Sequence, residues 1–272
     1  MKNNNKLIIA TCQFPVSKKI ITNSNYIQKQ INEAANKGAE IVHFPECALS
    51  GYIGRDFNNI LEVDWSLIDR EKEKICSLAK ERKIYLILGS SYLDRSKDTK
   101  AYNCLYLVDQ NGKIKETYYK RYSIKYDLDY YWLGDSYVTF EMKGVKCGLL
   151  VCHEIRFPEL FREYKKKGVK IIFHSFYNAN KEKRDILSDI IPASIKTRAA
   201  SNYLWISASN ASRYYQSWGS MIVKPDGSVY DFLGKHISGI MINEINLDYE
   251  YSDSAKTFRD EVIAKYLNLI VK

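Results

Sequence analysis

Short β-type runs alternate with amphipathic segments from the start of the chain to about position 250. Residues 6–13, KLIIATCQ, form the first such run. In 23–38 the positions Ile27, Ile31, Ala34 and Ala35 recur at helical spacing. Gly38 is a natural stop for that helix, because glycine takes the left-handed conformation that ends one. AEIVHFPE returns to β-type residues and ends at Pro45-Glu46, so the first fifty residues read β, α, β. The alternation repeats as a helix over 66–82, a strand KIYLILGSSYL, and a hairpin AYNCLYLVDQNGKIKETYYK. That hairpin turns at Gln110-Asn111-Gly112, since Asn-Gly suits a tight turn. Strands SYVTFEMKG and VKCGLLVC, a helix over 157–167, a strand VKIIFHSF and a long helical stretch over 180–202 follow. Pro192 lacks an amide hydrogen and predicts a break or kink in that last helix. YLWISASNAS, a hairpin through GSMIVKPDGSVYDF and a strand HISGIMINEINL complete the pattern. The tail after Tyr249 is amphipathic with no obvious place to pack on its own chain.

Strands that interleave with helices, some paired through hairpins, predict mixed sheets, and two stacked sheets with helices outside would use this many strands. At 272 residues and 46% hydrophobic content the chain can bury a large core. No composition shift marks a linker, and Gly 13 with Pro 5 leaves little for a hinge, so residues 1–272 read as one domain. The net charge of +9 would admit a polyanionic partner. Its lysines, however, are spread along amphipathic segments such as EKEKICSLAKERK, where charge belongs on a solvated face, so no nucleic-acid partner is expected. The apolar run 7–10 is too short for a signal peptide and no stretch is long enough for a membrane span, which points to the cytoplasm. Six cysteines without a CxxC spacing argue against a disulfide framework. Four histidines without HExxH or HxH argue against a zinc site, and no cofactor is expected.

Cysteine chemistry requires a thiolate, a group to move protons and a donor for the developing oxyanion. Glu46 follows IVHFP, Lys120 ends IKETYYK and Cys152 ends CGLLV, so all three fall where a strand finishes and side chains can converge at a sheet edge. Taken singly, Cys152 could be an inert core thiol, Glu46 a loop acid and Lys120 a solvated charge. His153 competes as the base of a Cys/His dyad, although neighbours on a strand point to opposite faces. Cys147, on the same strand, reads as core.

Three segments in order, FPECALSGY, YYKRYSI and GLLVCHEIRFPEL, resemble those of the nitrilase superfamily of carbon–nitrogen hydrolases. AYNCLYLVDQNGKI, TRAASNYLWISASN and GSMIVKPDGSV extend the resemblance over nearly the whole chain. It implies an α+β, four-layer αββα sandwich that dimerises, with the tail packed on the neighbouring subunit, and a triad of Glu46 as base, Lys120 as oxyanion cation and Cys152 as nucleophile. Tyr122 and Asp127 stand where many members have histidine and a second glutamate. His153-Glu154 replace an aromatic and an aspartate, which alters the expected pocket wall. His174 and Tyr177 in FHSFYN match the place of aromatic pocket residues. The resemblance thus implies substrate-binding or triad-supporting positions at Tyr52, Asp127, His153, Glu154 and Tyr177. The implied reaction is hydrolysis of a small amide or N-carbamoyl compound through a thioester, releasing ammonia or an amine, by a homodimer or larger homo-oligomer. Nitrile hydrolysis by the same triad and a non-catalytic binding scaffold are the alternatives.

Overall fold

Alternation along Lys6–Gln13 (β1) sets the layers: Leu7 and Ile9 enter one apolar cluster, while Ala10 and Cys12 enter another. The computed structural model describes residues 6–97, 99–178, 186–253, 258, 259, 261, 262 and 265. The chain continues through α1 (Ile20–Asn36), β2 (Ile41–His43), α2 (Trp65–Arg82), β3 (Tyr85–Tyr92), β4 (Ala101–Val108), β5 (Ile114–Tyr119) and β6 (Tyr131–Trp132). Its second half holds β7 (Thr139–Met142), β8 (Val145–Val151), α3 (Pro158–Lys166), β9 (Ile171–Phe176), α4 (Leu187–Asn202), β10 (Trp205–Asn210), β11 (Met221–Val223), β12 (Val229–Phe232) and β13 (Gly239–Asn246). The first sheet has the order β13-β1-β2-β3-β4-β5, with β6 beside β4, and the second β12-β11-β10-β9-β8-β7. Both are mixed: β1, β2 and β3 run parallel, as do β8, β9 and β10, and the hairpin strands are antiparallel.

Leu7, Ile9, Ile41, Ile87 and Leu105 of the first sheet share a core with Leu149, Val151, Phe173 and Ile206 of the second. The opposite face of the first sheet packs on Ile27 and Ile31 of α1 and Ile68 and Ile75 of α2. Helices α3 and α4 bury Leu160, Phe161, Ile191 and Ile195 against the second sheet. The result is the expected αββα order. Pro192 does not break α4, which runs from Leu187 to Asn202 with the proline inside. One lost N–H bond is outweighed there by an apolar stripe, Ile191, Ile195 and Ala199, buried along the same helix. Residues 180–185 of the predicted helix lie outside the described residues, as does most of the tail after Tyr249. Tyr249 itself donates to Asp226 Oδ2 at 2.7 Å.

A polar seam crosses the sheet–sheet core. His43 Nδ1 meets Ser207 Oγ at 2.8 Å and Nε2 meets Ser175 Oγ at 2.9 Å, while Thr11 Oγ1 lies 2.7 Å from Ser207 Oγ. Burial drives the His43 pKa from 6.5 down to about 3, so the ring is neutral in the fold. An unfolded chain binds that proton below 6.5, so the stability His43 contributes is complete above that pH and is lost as pH falls toward 3. The slope is at most about 1.4 kcal/mol per pH unit. His43→Gln should therefore flatten the acid limb of stability against pH, read by urea denaturation between pH 6.5 and 4.5. Equal slopes in the two proteins would contradict this.

Candidate active site

Glu46 sits just beyond β2, on a loop that crosses β3 at Gly89. A Cβ at Gly89 would lie 2.0 Å from Pro45 O and 3.0 Å from Cys47 N, so only glycine lets the loop pass. The next residue, Cys47, takes a left-handed φ of 52°. Glu46 is fully buried; its Oε1 accepts from Asn103 Nδ2 at 2.7 Å and from Lys120 Nζ at 2.9 Å. Its Oε2 has no hydrogen-bond partner among the described residues and is the oxygen left for the thiol of Cys152. Asn103 serves both partners, because its backbone carbonyl also accepts from the Lys120 amide at 2.9 Å.

Lys120 lies one residue past β5 with its side chain 3% exposed. Burial alone would lower its pKa, but Glu46, Cys152 and Asp127 outweigh that and raise it, so the ammonium is charged. Asp127 lies in a short 3-10 turn, Lys125–Asp129, and its Oδ2 reaches Lys120 Nζ at 3.5 Å. The same oxygen accepts from Tyr52 at 2.8 Å and Ser123 at 2.9 Å. The shorter acid thus keeps its place beside the lysine.

Strand β8 ends at Val151, and Cys152 opens a 3-10 turn, Cys152–Arg156, with φ of 44°. A left-handed non-glycine residue costs about 1–2 kcal/mol, and it turns this side chain out of the strand's alternation. Burial, then the Glu46 carboxylate, push the thiol pKa up, while Lys120 and the Tyr177 backbone N–H pull it down. The thiol therefore rests protonated beside a carboxylate. His174 Nε2 lies 3.2 Å from the Cys152 carbonyl. A carbonyl only accepts, so Nε2 carries the proton.

Residues 8–253 match the carbon-nitrogen hydrolase family. The chain belongs to the carbon-nitrogen hydrolase family. It is 29% identical over 261 residues to an omega-amidase of Xenopus tropicalis, covering 90% of each chain. A 2-oxoglutaramate amidase of Bacillus subtilis is 28% identical over 145 residues, covering 53% of this chain and 54% of that one. Its fold resembles that of an amidase from Nesterenkonia, with a TM-score of 0.78 at 20% identity over 96% of this chain and 98% of that one. The protein is accordingly an enzyme that hydrolyses carbon–nitrogen bonds other than peptide bonds.

In this carbon-nitrogen hydrolase Cys152 and Lys120 line a cavity of about 230 Å³ together with Tyr52, Asp127, His153 and Tyr177. Two expectations need correction. His153 lines the same cavity as Cys152 rather than the opposite face, because the strand has already ended before Cys152. Glu154 does not line the cavity: it is fully buried behind the nucleophile turn, which removes substrate contact, and not triad support, from the two roles the resemblance implies. His174, also fully buried, stacks on Phe176 beneath the site, whereas Tyr177 faces the cavity. Cys147 is core, as its pattern implied. The sequence reading missed Asn103, Arg55 and Arg156, although AYNCLYLV and GLLVCHEIRFPEL contain Asn103 and Arg156. Among the described residues no cluster of three His, Cys, Asp or Glu could hold a metal ion.

Proposed function

We propose that the substrate is the ω-amide of a small dicarboxylic acid, cleaved with Cys152 as nucleophile, Glu46 as general base and Lys120 as the oxyanion cation. One observation carries the substrate class. Arg55 and Arg156 are exposed, line the same small cavity as Cys152, and have no carboxylate partner among the described residues. A guanidinium of that kind suits a carboxylate at the far end of a substrate, since its fork matches the two oxygens. The names of the omega-amidase and 2-oxoglutaramate amidase relatives support the same class.

Glu46 Oε2 takes the thiol proton as the sulfur bonds to the amide carbon, and the carbonyl electrons move to an oxyanion that the Lys120 ammonium stabilises. Collapse breaks the C–N bond, and Glu46 returns the proton to nitrogen so that ammonia leaves a Cys152 thioester. A water then gives a proton to Glu46 and its hydroxyl to the acyl carbon. The acid departs as the proton returns to sulfur. Homodimeric assembly, a cytoplasmic location and one hydrolase domain over residues 1–272 belong to the same proposal.

Ammonia release from the monoamides of succinate and 2-oxoglutarate, compared with butyramide, N-carbamoyl compounds and nitriles, tests the substrate class. Arg156→Gln should raise KM for the charged monoamides about 10- to 100-fold, the value of one charged hydrogen bond of about 1.5–3 kcal/mol. Butyramide should be unaffected. An equal change on both, or no preference for the carboxylate in the wild type, would reject the class.

A further inference from the structure

The triad is divided between the two sheets. Glu46 and Lys120 follow β2 and β5 of the first, and Cys152 follows β8 of the second. Catalysis needs the thiol and the ammonium in register to within a fraction of an ångström, so something must tie the end of β5 to the end of β8. We infer that Glu154 is this tie, a positioning residue that sets the distance between nucleophile and oxyanion cation by holding both chains through one carboxylate.

Glu154 Oε2 accepts from the Val151 amide at 2.6 Å, the residue immediately before the nucleophile. Its Oε1 accepts from the Arg121 amide at 2.7 Å, the residue immediately after the lysine. The Tyr122 amide at 3.3 Å and the Tyr118 hydroxyl at 2.8 Å complete the set on the β5 side. Four donors on two oxygens leave the carboxylate no room to rotate without losing partners. Glu154 touches no part of the cavity and is fully buried, so its effect must pass through the two backbones it holds. A buried carboxylate is costly to place, and these donors offset the cost only while both strand ends stay where they are. Lys120 also pulls the carboxyl toward its charged form, although burial pushes its pKa up to about 7.

The inference rests on the proposed roles of Cys152 and Lys120, and Glu154→Asp tests it with the charge kept. The side chain shortens by about 1.5 Å, so it cannot hold both strand ends at once. Misplacement by about 1 Å costs on the order of a hundredfold, so kcat should fall ten- to a hundredfold with KM within threefold. Alkylation of Cys152 by iodoacetamide against pH supplies a readout that a purely structural role would not move. With charge constant, drawing Lys120 back by about 1 Å should move the midpoint up by about half a pH unit. A folded Glu154→Asp protein with kcat within twofold of wild type, a loss confined to KM, or an unmoved midpoint would overturn the inference. If that variant does not fold, Tyr118→Phe removes one donor and leaves the backbones alone. It should lower kcat two- to fivefold and raise the midpoint, and wild-type values for both would overturn the inference. Failure of the functional reading shows separately, as a wild-type enzyme that releases no ammonia from any monoamide.

Discussion

Cys152→Ala releases no measurable ammonia from any amide and unfolds at the wild-type temperature: this is the largest effect the site predicts. Removing a covalent nucleophile from a triad costs on the order of 10⁶ in kcat, because the remaining groups can orient substrate but cannot form the acyl intermediate. The fold should be untouched for two reasons. Alanine is as strained as cysteine at the left-handed φ of 44°, so the turn costs the same in both proteins. The half-buried thiol, moreover, lies at a cavity wall rather than in the core between the sheets. Substrate binding should survive as well, since the Lys120 ammonium and the two arginines remain. Ammonia release, a thermal melt and equilibrium binding of a monoamide check the three parts. Turnover within a hundredfold of wild type would reject Cys152 as the nucleophile.

Three residues so far apart in sequence are drawn together by two signals: each falls at a strand end, and the resemblance of their segments to the nitrilase superfamily gives them their roles. The β-type run of β1 and the helical spacing of α1 mark those elements, and the β-type runs before Glu46, Lys120 and Cys152 mark strand ends without any tertiary knowledge. What was hidden depends on distance in space. Asn103 lies mid-strand in β4 and looks like an interrupted apolar run until β5 pairs with it and the Glu46 loop is laid above. Glu154 reads as a second acid beside a histidine, and only the stacking of two sheets brings Arg121 to it. Local rules misled in two places. Alternation predicts opposite faces for Cys152 and His153, where a left-handed residue has already ended the strand, and Pro192 allows a break where the buried stripe keeps α4 continuous. Strand β6 and the 3-10 turns are too short to carry a period at all.

Lys120→Met separates the two things that this lysine does. As the cation facing the oxyanion it should be worth about a hundred- to a thousandfold in kcat, the usual loss for one such donor. As the only positive charge paired with Glu46 and Asp127 among the described residues, it also holds two buried carboxylates in place. Leaving a buried charge without its partner destabilises by about 3–5 kcal/mol, so unlike Cys152→Ala this variant should melt well below wild type. The double variant Lys120→Met with Asp127→Asn discriminates between the roles, because it removes a stranded carboxylate and leaves the base in place. It should recover about 1–3 kcal/mol of the lost stability, while activity stays where Lys120→Met left it. Denaturant titrations and kcat measured on all four proteins of the cycle give both couplings. If stability and activity fall and recover together, the lysine acts on the reaction only by keeping the site folded. If stability returns while turnover does not, its charge acts on the oxyanion itself, and the ion pair with Glu46 is the resting arrangement from which the reaction starts.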